Sequence, residues 1–264
     1  MILCFDIGNT DIDVGVFEKD TLSKSFRIEY VKGQQSWAYV EPIQKGLREN
    51  GISISDVEDC ILCSVVHNTT QGFFVALNEV FGYNPKMFTN DRIVDMKVKI
   101  RNPQEVGTDI VASCLVVRDK YTFPAIVIDM GTATTITAMD SEGAILGVSI
   151  LTGVITSLNA LHDRTGLPVD PGLPIPEKAI GTDTPKSIAS GAVFGRAAMM
   201  DGMIDRFKEE MGTDAAIYAT GGVSKVIFPL CRNKAIINND LLLEGMYCYY
   251  LRSKCDIKDR KEYK

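Results

Sequence analysis

One strand–turn–strand pattern is written twice in this chain, once in each half, and few folds can use it. Residues 4–20 read CFDIGNTDIDVGVFEKD and residues 127–143 read VIDMGTATTITAMDSEG. Each opens on an apolar run, reaches an Asp, turns through a Gly beside Asn or Thr, and resumes with many alternating apolar positions. An apolar run followed by a period-two run predicts a strand hairpinned to its neighbour. Asp6 and Asp129 lie too far apart for a short-period repeat, so the pattern is a domain duplication.

The rest of the chain alternates helical and strand periodicity, which predicts an α/β architecture. In the first half, strands are expected over 2–5, 11–17, 60–66 and 85–88. Helices are expected over 36–49, stopped by Asn50-Gly51, over 69–80, and from the N-cap candidate Thr108 onward. In the second half, strands are expected over 125–129, 134–139 and 215–219, with helices over 156–162, 187–211 and 241–254. Trp37, beginning a helix, is expected to pack inside. The division into similar units falls as 1–115 and 116–264. Two units also suit 264 residues, because single cores stop growing near ~250–300 residues.

Composition removes several classes of partner. A net charge of −6 argues against nucleic acid and anionic membranes. No apolar run reaches the ~20 residues of a membrane span. The start, MILCFDIGN, has no basic segment and carries an acid at position 6, so no signal peptide is expected. Seven scattered cysteines suit reduced core thiols rather than a disulfide framework, and a cytoplasmic setting. Cys60 and Cys63 form a CxxC, but within CILCSVV, which reads as a buried strand. His67 and His162 lack metal-ligand spacing.

The doubled turn has a chemistry that can be built from its parts. Gly8 and Gly131 let the backbone turn tightly and let a large anion approach. Asn9, Thr10, Thr132, Thr134 and Thr135 offer short donors beside it. Asp6 and Asp129 would repel a phosphate unless a cation stood between, as Mg²⁺ does in phosphoryl-transfer sites. One copy alone is an ordinary β-turn, its Asp bonding its own backbone. Two copies at matching points favour a two-jawed phosphate clamp. A third Gly cluster, ATGG at 219–222, follows a predicted strand, where an adenosine-contacting loop is expected.

With these residues in view, the chain resembles the superfamily of acetate and sugar kinases, heat-shock ATPases and actin, and within it the type III pantothenate kinases. DIGNT at 6–10 is similar to the first phosphate motif and DMGTATT at 129–135 to the second. NPQEVGTD at 102–109 resembles the substrate and catalytic loop. GTDT at 181–184 resembles the segment with a substrate-contacting Thr, and ATGG the adenosine motif. The resemblance implies two similar domains of the actin-like ATPase type, a duplicated ribonuclease H-like fold with an interdomain ATP cleft. It implies ATP-dependent phosphorylation of pantothenate to 4'-phosphopantothenate, the first step of coenzyme A biosynthesis. It further implies a homodimer, Mg²⁺ with the ATP, and a monovalent cation, K⁺ or NH₄⁺.

Carried over position by position, Asp6, Ile7, Gly8, Asn9, Thr10, Asp11, Ile12, Asp13 and Thr132 would bind ATP, and Asp129 would hold the monovalent cation. Asp109 would be the general base that takes the hydroxyl proton. By itself it reads equally as a first-turn acid favouring the helix dipole. Ile100, Gly107, Thr108, Asp109, Ile110 and Thr184 would face the substrate. Three positions depart from the family pattern. Ile110 stands where an Arg is usual and Ile100 where an aromatic is usual. Leu151-Thr152-Gly153 replaces Ala-Pro-Gly. The neighbouring cations are Lys99 and Arg101, the latter projecting away from position 100 if the segment is a strand. Alternatives are a related small-molecule kinase with a changed acceptor, or a non-catalytic nucleotide-binding regulator.

Overall fold

The computed structural model describes residues 1–89 and 96–262. They form two compact units, and the duplication is visible in their topology. In the first, β1 (Ile2–Ile7), β2 (Ile12–Glu18) and β3 (Thr21–Ile28) run antiparallel. Strands β4 (Asp59–Ser64) and β5 (Lys86–Met87) join parallel on the other side of β1, in the order β3-β2-β1-β4-β5. In the second, β6 (Ala125–Met130), β7 (Ala133–Met139) and β8 (Ile145–Thr152) are antiparallel. Strands β9 (Ala216–Thr220) and β10 (Ile236–Ile237) then join parallel to β6, giving β10-β9-β6-β7-β8. Even the irregularities match: the second strand slips register at Val16/Phe17 in one unit and the third-strand partner slips at Ala138/Met139 in the other.

Alternation builds the first core. Leu3, Phe5 and Ile7 of β1 point to one face, where they meet Tyr39, Ile43 and Leu47 of α1 (Trp37–Glu49) and Phe73, Ala76 and Leu77 of α2 (His67–Phe81). Fully burying one such side chain contributes roughly 1.5–3 kcal/mol. The opposite face is covered by α3 (Thr108–Lys120) and α8 (Leu241–Glu262), with Phe17 stacked on Tyr247 at 4.2 Å between ring centroids. In the second unit Ile126, Ile128 and Met130 of β6 pack with residues of α4 (Val154–Thr165) and α6 (Arg196–Met211). Between α4 and α6 lie α5 (Thr184–Ser190) and one π turn, Gly191–Gly195; α7 (Ser224–Ile227) follows β9.

Several expectations change. The units do not divide at 115/116. The first comprises 1–96, 102–120 and 240–264, the second 97–101 and 121–239. The last helix belongs to the first unit because α8 packs on α3. Gly245 makes this close approach possible, since a side chain there would collide with the Ala112 carbonyl. Strands β3, β8 and β10 were not expected. Thr21–Ile28 has one buried residue among eight and Ile145–Thr152 likewise, so neither carries the apolar alternation that marks a strand. The helix expected over 187–211 is interrupted by the π turn. Trp37 is 73% exposed rather than packed. Among the described residues no helix is long and apolar enough to cross a membrane.

Candidate active site

In the first unit the doubled turn closes where β1 meets β2. The Gly8 N–H donates to the Asp11 carbonyl at 3.0 Å, and Asp6 stands opposite Asp13 in the ladder. Asn9 and Thr10 at the tip are exposed, whereas Ile7 and Ile12 are fully buried. Those two can meet a nucleotide only through their backbone. The unexpected strand β3 brings a cation: Arg27 bonds Asp13 Oδ1 at 2.9 Å and reaches Asp11 Oδ2 at 3.3 Å. Two of the three acids near the turn therefore share one counter-charge. Beyond β3, Tyr30 donates its hydroxyl to the Gly8 carbonyl at 2.6 Å and Lys32 donates to Asn9 Oδ1 at 3.0 Å. Arg27 was missed because its strand was missed, and Tyr30 and Lys32 because they follow that strand outside any regular element.

Asp109 belongs to the same unit. Asp6 pairs with Cys63 across β1 and β4, and Cys63 Sγ contacts Thr108 Oγ1 at 3.4 Å, next to Asp109. Burial first, then the Asp6 charge, push the Cys63 thiol well up, with Asp109 adding to it. Asp109 occupies the first turn of α3, and its Oδ1 accepts the Ile110 N–H at 2.9 Å. Burial raises its pKa despite that bond. A place in the first helical turn does not bar a carboxyl from taking a proton, and partial desolvation makes it a better proton acceptor. Gly107 leaves room beside it: a methyl there would meet Asp109 Oδ1 and force that carboxylate to move.

The second unit repeats the turn with different residues. The Gly131 N–H donates to the Ala133 carbonyl at 3.0 Å, and Asp129 faces Thr135 on one side and Thr220 on the other. Thr132 is exposed, and its carbonyl accepts the Gly153 N–H at 3.0 Å and the Thr156 hydroxyl at 2.7 Å. Leu151-Thr152-Gly153 thus braces the turn, and Gly153 lies too close to the 131–132 backbone to carry a side chain. Thr134 is fully buried, and its hydroxyl has no hydrogen-bond partner among the described residues. The ATGG loop does reach the site: Gly221, at φ +87°, would place a Cβ 2.7 Å from Asp129 Oδ1. A side chain there would fill the space that a small cation on the carboxylate would need.

Ile100 and Thr184 also belong to the second unit. Ile100 and Arg101 lie in a bend, not a strand, so the expected opposite projection does not apply. Lys99 is ion-paired with Asp140 at 2.6 Å. Thr184 opens α5 and lines a cavity of about 720 Å³ with Ser157, Asp183 and Arg196. Among the described residues no group of three or more His, Cys, Asp or Glu gathers as a metal centre. Mg²⁺ needs no such group, since one or two carboxylates plus phosphates and waters complete its shell.

Comparisons with known proteins bear on the family and the fold. The family model described as type III pantothenate kinase matches residues 2–206. A type III pantothenate kinase of Agathobacter rectalis is 31% identical over 95% of this chain and 96% of its own. Among solved structures, a Baf-family transcriptional activator from Campylobacter jejuni superposes with a TM-score of 0.59 at 18% identity, covering 98% of this chain and 99% of that one. The activator of 2-hydroxyisocaproyl-CoA dehydratase from Clostridium difficile, solved with bound ADPNP, gives 0.58 at 12% identity, covering 98% and 97%. At those identities the structures speak for the two-domain ATPase fold alone. The match of sequence over most of the chain goes further: this protein belongs to the type III pantothenate kinase family.

Proposed function

We propose that this chain transfers the γ-phosphoryl group of ATP to the primary hydroxyl of pantothenate, giving 4'-phosphopantothenate and ADP. Family membership supplies the substrate. The observation that carries the chemistry is Asp109, a carboxyl held above its ordinary pKa by burial, with Gly107 clearing the space beside it. As the hydroxyl oxygen bonds to the γ-phosphorus, its proton passes to Asp109. The bond from that phosphorus to the bridging oxygen breaks, and its electrons leave on ADP. Asn9, Thr10 and Thr132 bind the phosphates, helped by Lys32 at the first turn. The backbone and side chains of residues 6–13 complete the nucleotide contacts, Ile7 and Ile12 through main chain only. Bound Mg²⁺ neutralises phosphate charge as it builds up on the leaving group. Asp129, against which Gly221 sets no side chain, would hold the monovalent cation. Gly107, Thr108, Ile110, Ile100 and Thr184 face the acceptor. The family also supports a homodimer, and buried thiols suit a reducing cytoplasm.

One observation favours a second reading. Ile110 and Ile100 put apolar groups where polar contacts to pantothenate are expected, which suits a kinase with another hydroxyl acceptor. A non-catalytic regulator fits less well, because binding alone does not require a desolvated carboxyl. Incubating the protein with ATP, Mg²⁺, K⁺ and pantothenate, followed by mass spectrometry, separates these readings. Phosphopantothenate from the native chain, and none from Asp109→Asn, is the expected result. ATP consumption without that product, on a panel of other hydroxyl acids, would move the assignment to the second reading.

A further inference from the structure

The 720 Å³ cavity of the second unit lies within the size range of small-molecule sites, and its wall is of two kinds. Leu158, Leu161 and Ile188 give an apolar lining, while Ser157, Thr184 and Arg196 are polar. Arg196 is half-buried, yet among the described residues its guanidinium reaches only Ser157 Oγ, at 3.2 Å, and no carboxylate. Burial alone lowers its pKa; a nearby acid would have opposed that. The other charge on the wall, Asp183, is already used. It accepts the Lys186 N–H at 2.9 Å and pairs with Lys186 Nζ at 3.0 Å. A desolvated guanidinium without a counter-charge is costly to hold, and an anionic ligand removes that cost.

The segment before Arg196 is the π turn Gly191–Gly195. A wide turn changes the phase of every later side chain in a helix, and such turns concentrate at functional sites. Here it falls between α5, which carries Thr184, and α6, which Arg196 begins.

We propose that Arg196 binds the carboxylate of the acceptor in this cavity, as the specificity-determining cation for an acid substrate. The inference rests on the pantothenate reading. One unpaired cation matches a monoanion better than a phosphate dianion, and hydroxyl groups of Ser157 and Thr184 suit the amide and hydroxyls of such a molecule. The apolar wall suits its branched aliphatic part.

The test uses the full chain with two acceptors, pantothenate and pantothenol, in which a neutral alcohol replaces the carboxylate. Arg196→Met is expected to raise KM for pantothenate on the order of tenfold to a hundredfold, the cost of a lost charge-assisted bond. Its kcat, its KM for ATP and its KM for pantothenol are expected to stay near native values. Arg196→Lys should restore part of the loss, since the charge survives without the fork. An unmoved pantothenate KM, or equal rises for the acid and the alcohol, would overturn the inference alone. Turnover of neither compound by the native chain would overturn the pantothenate reading and the inference with it.

Discussion

At Asp109 the burial that raises the carboxyl's pKa also weakens the fold. A carboxyl whose native pKa is raised binds its proton more tightly folded than unfolded, so ionisation costs stability. The cost is absent below the unfolded pKa, grows as pH rises toward the native value, and is complete above it. Asp109→Asn keeps an oxygen for the Ile110 N–H and removes the charge. It is expected to melt above the native protein near pH 7, with the difference vanishing at strongly acid pH, while kcat falls by ~10²–10⁴. Melting curves across pH, set beside turnover, check both halves; a variant less stable at neutral pH would contradict the burial argument. Two glycines divide by what they touch. Gly107→Ala strikes the movable end of Asp109, so kcat should drop with little change in melting temperature. Gly221→Ala strikes the Met130 backbone from a φ of +87°, so it should cost about 1–3 kcal/mol in denaturant titration.

Among the elements, the contact of α3 with α8 has the clearest consequence. Asp109 opens α3, and α8 braces that helix from a part of the chain more than a hundred residues away in sequence. Gly245→Ala would press a methyl on the Ala112 carbonyl, and overpacking of this kind costs about 1–3 kcal/mol. The expected result is a lower melting temperature with reduced kcat, measured on the same preparation; an unchanged melting temperature would mean that the helices can separate without penalty. Strand β3 shows the other lesson of this scale. It is mostly exposed, yet it delivers Arg27 to Asp11 and Asp13. Edge strands paired on one side only need little apolar burial, so their sequences leave no alternation to detect.

For the molecule as a whole, the thiols give a test of packing. Cys4, Cys60, Cys63, Cys114, Cys231 and Cys248 are all free and buried. Burial pushes Cys60 up to about 12 and Cys231 up to about 11, and only the thiolate reacts with alkylating reagents. Iodoacetamide at neutral pH is expected to leave these six unmodified in the native protein and to label them all once guanidinium is added, as read by peptide mass spectrometry. Rapid native labelling of Cys63 would mean that the space between Asp6 and Thr108 is open to solvent. Cys60 and Cys63 are three apart on one strand, so alternation sends them to opposite faces, which is why this CxxC is not a metal knuckle.

The duplicated hairpin, the α/β class and the place of Asp6 and Asp129 near the ends of their strands were all legible in the sequence. Strand periodicity and tight turns are local properties, set by neighbours a few residues apart. Tertiary structure alone decided the rest. It returned α8 to the first unit, set Gly221 against Asp129, buried Thr134, and left Arg196, among the described residues, on a cavity wall whose acid, Asp183, is paired elsewhere. Each of these depends on which distant segments share a surface. That is fixed by packing and desolvation over the folded chain, and no local spacing encodes it.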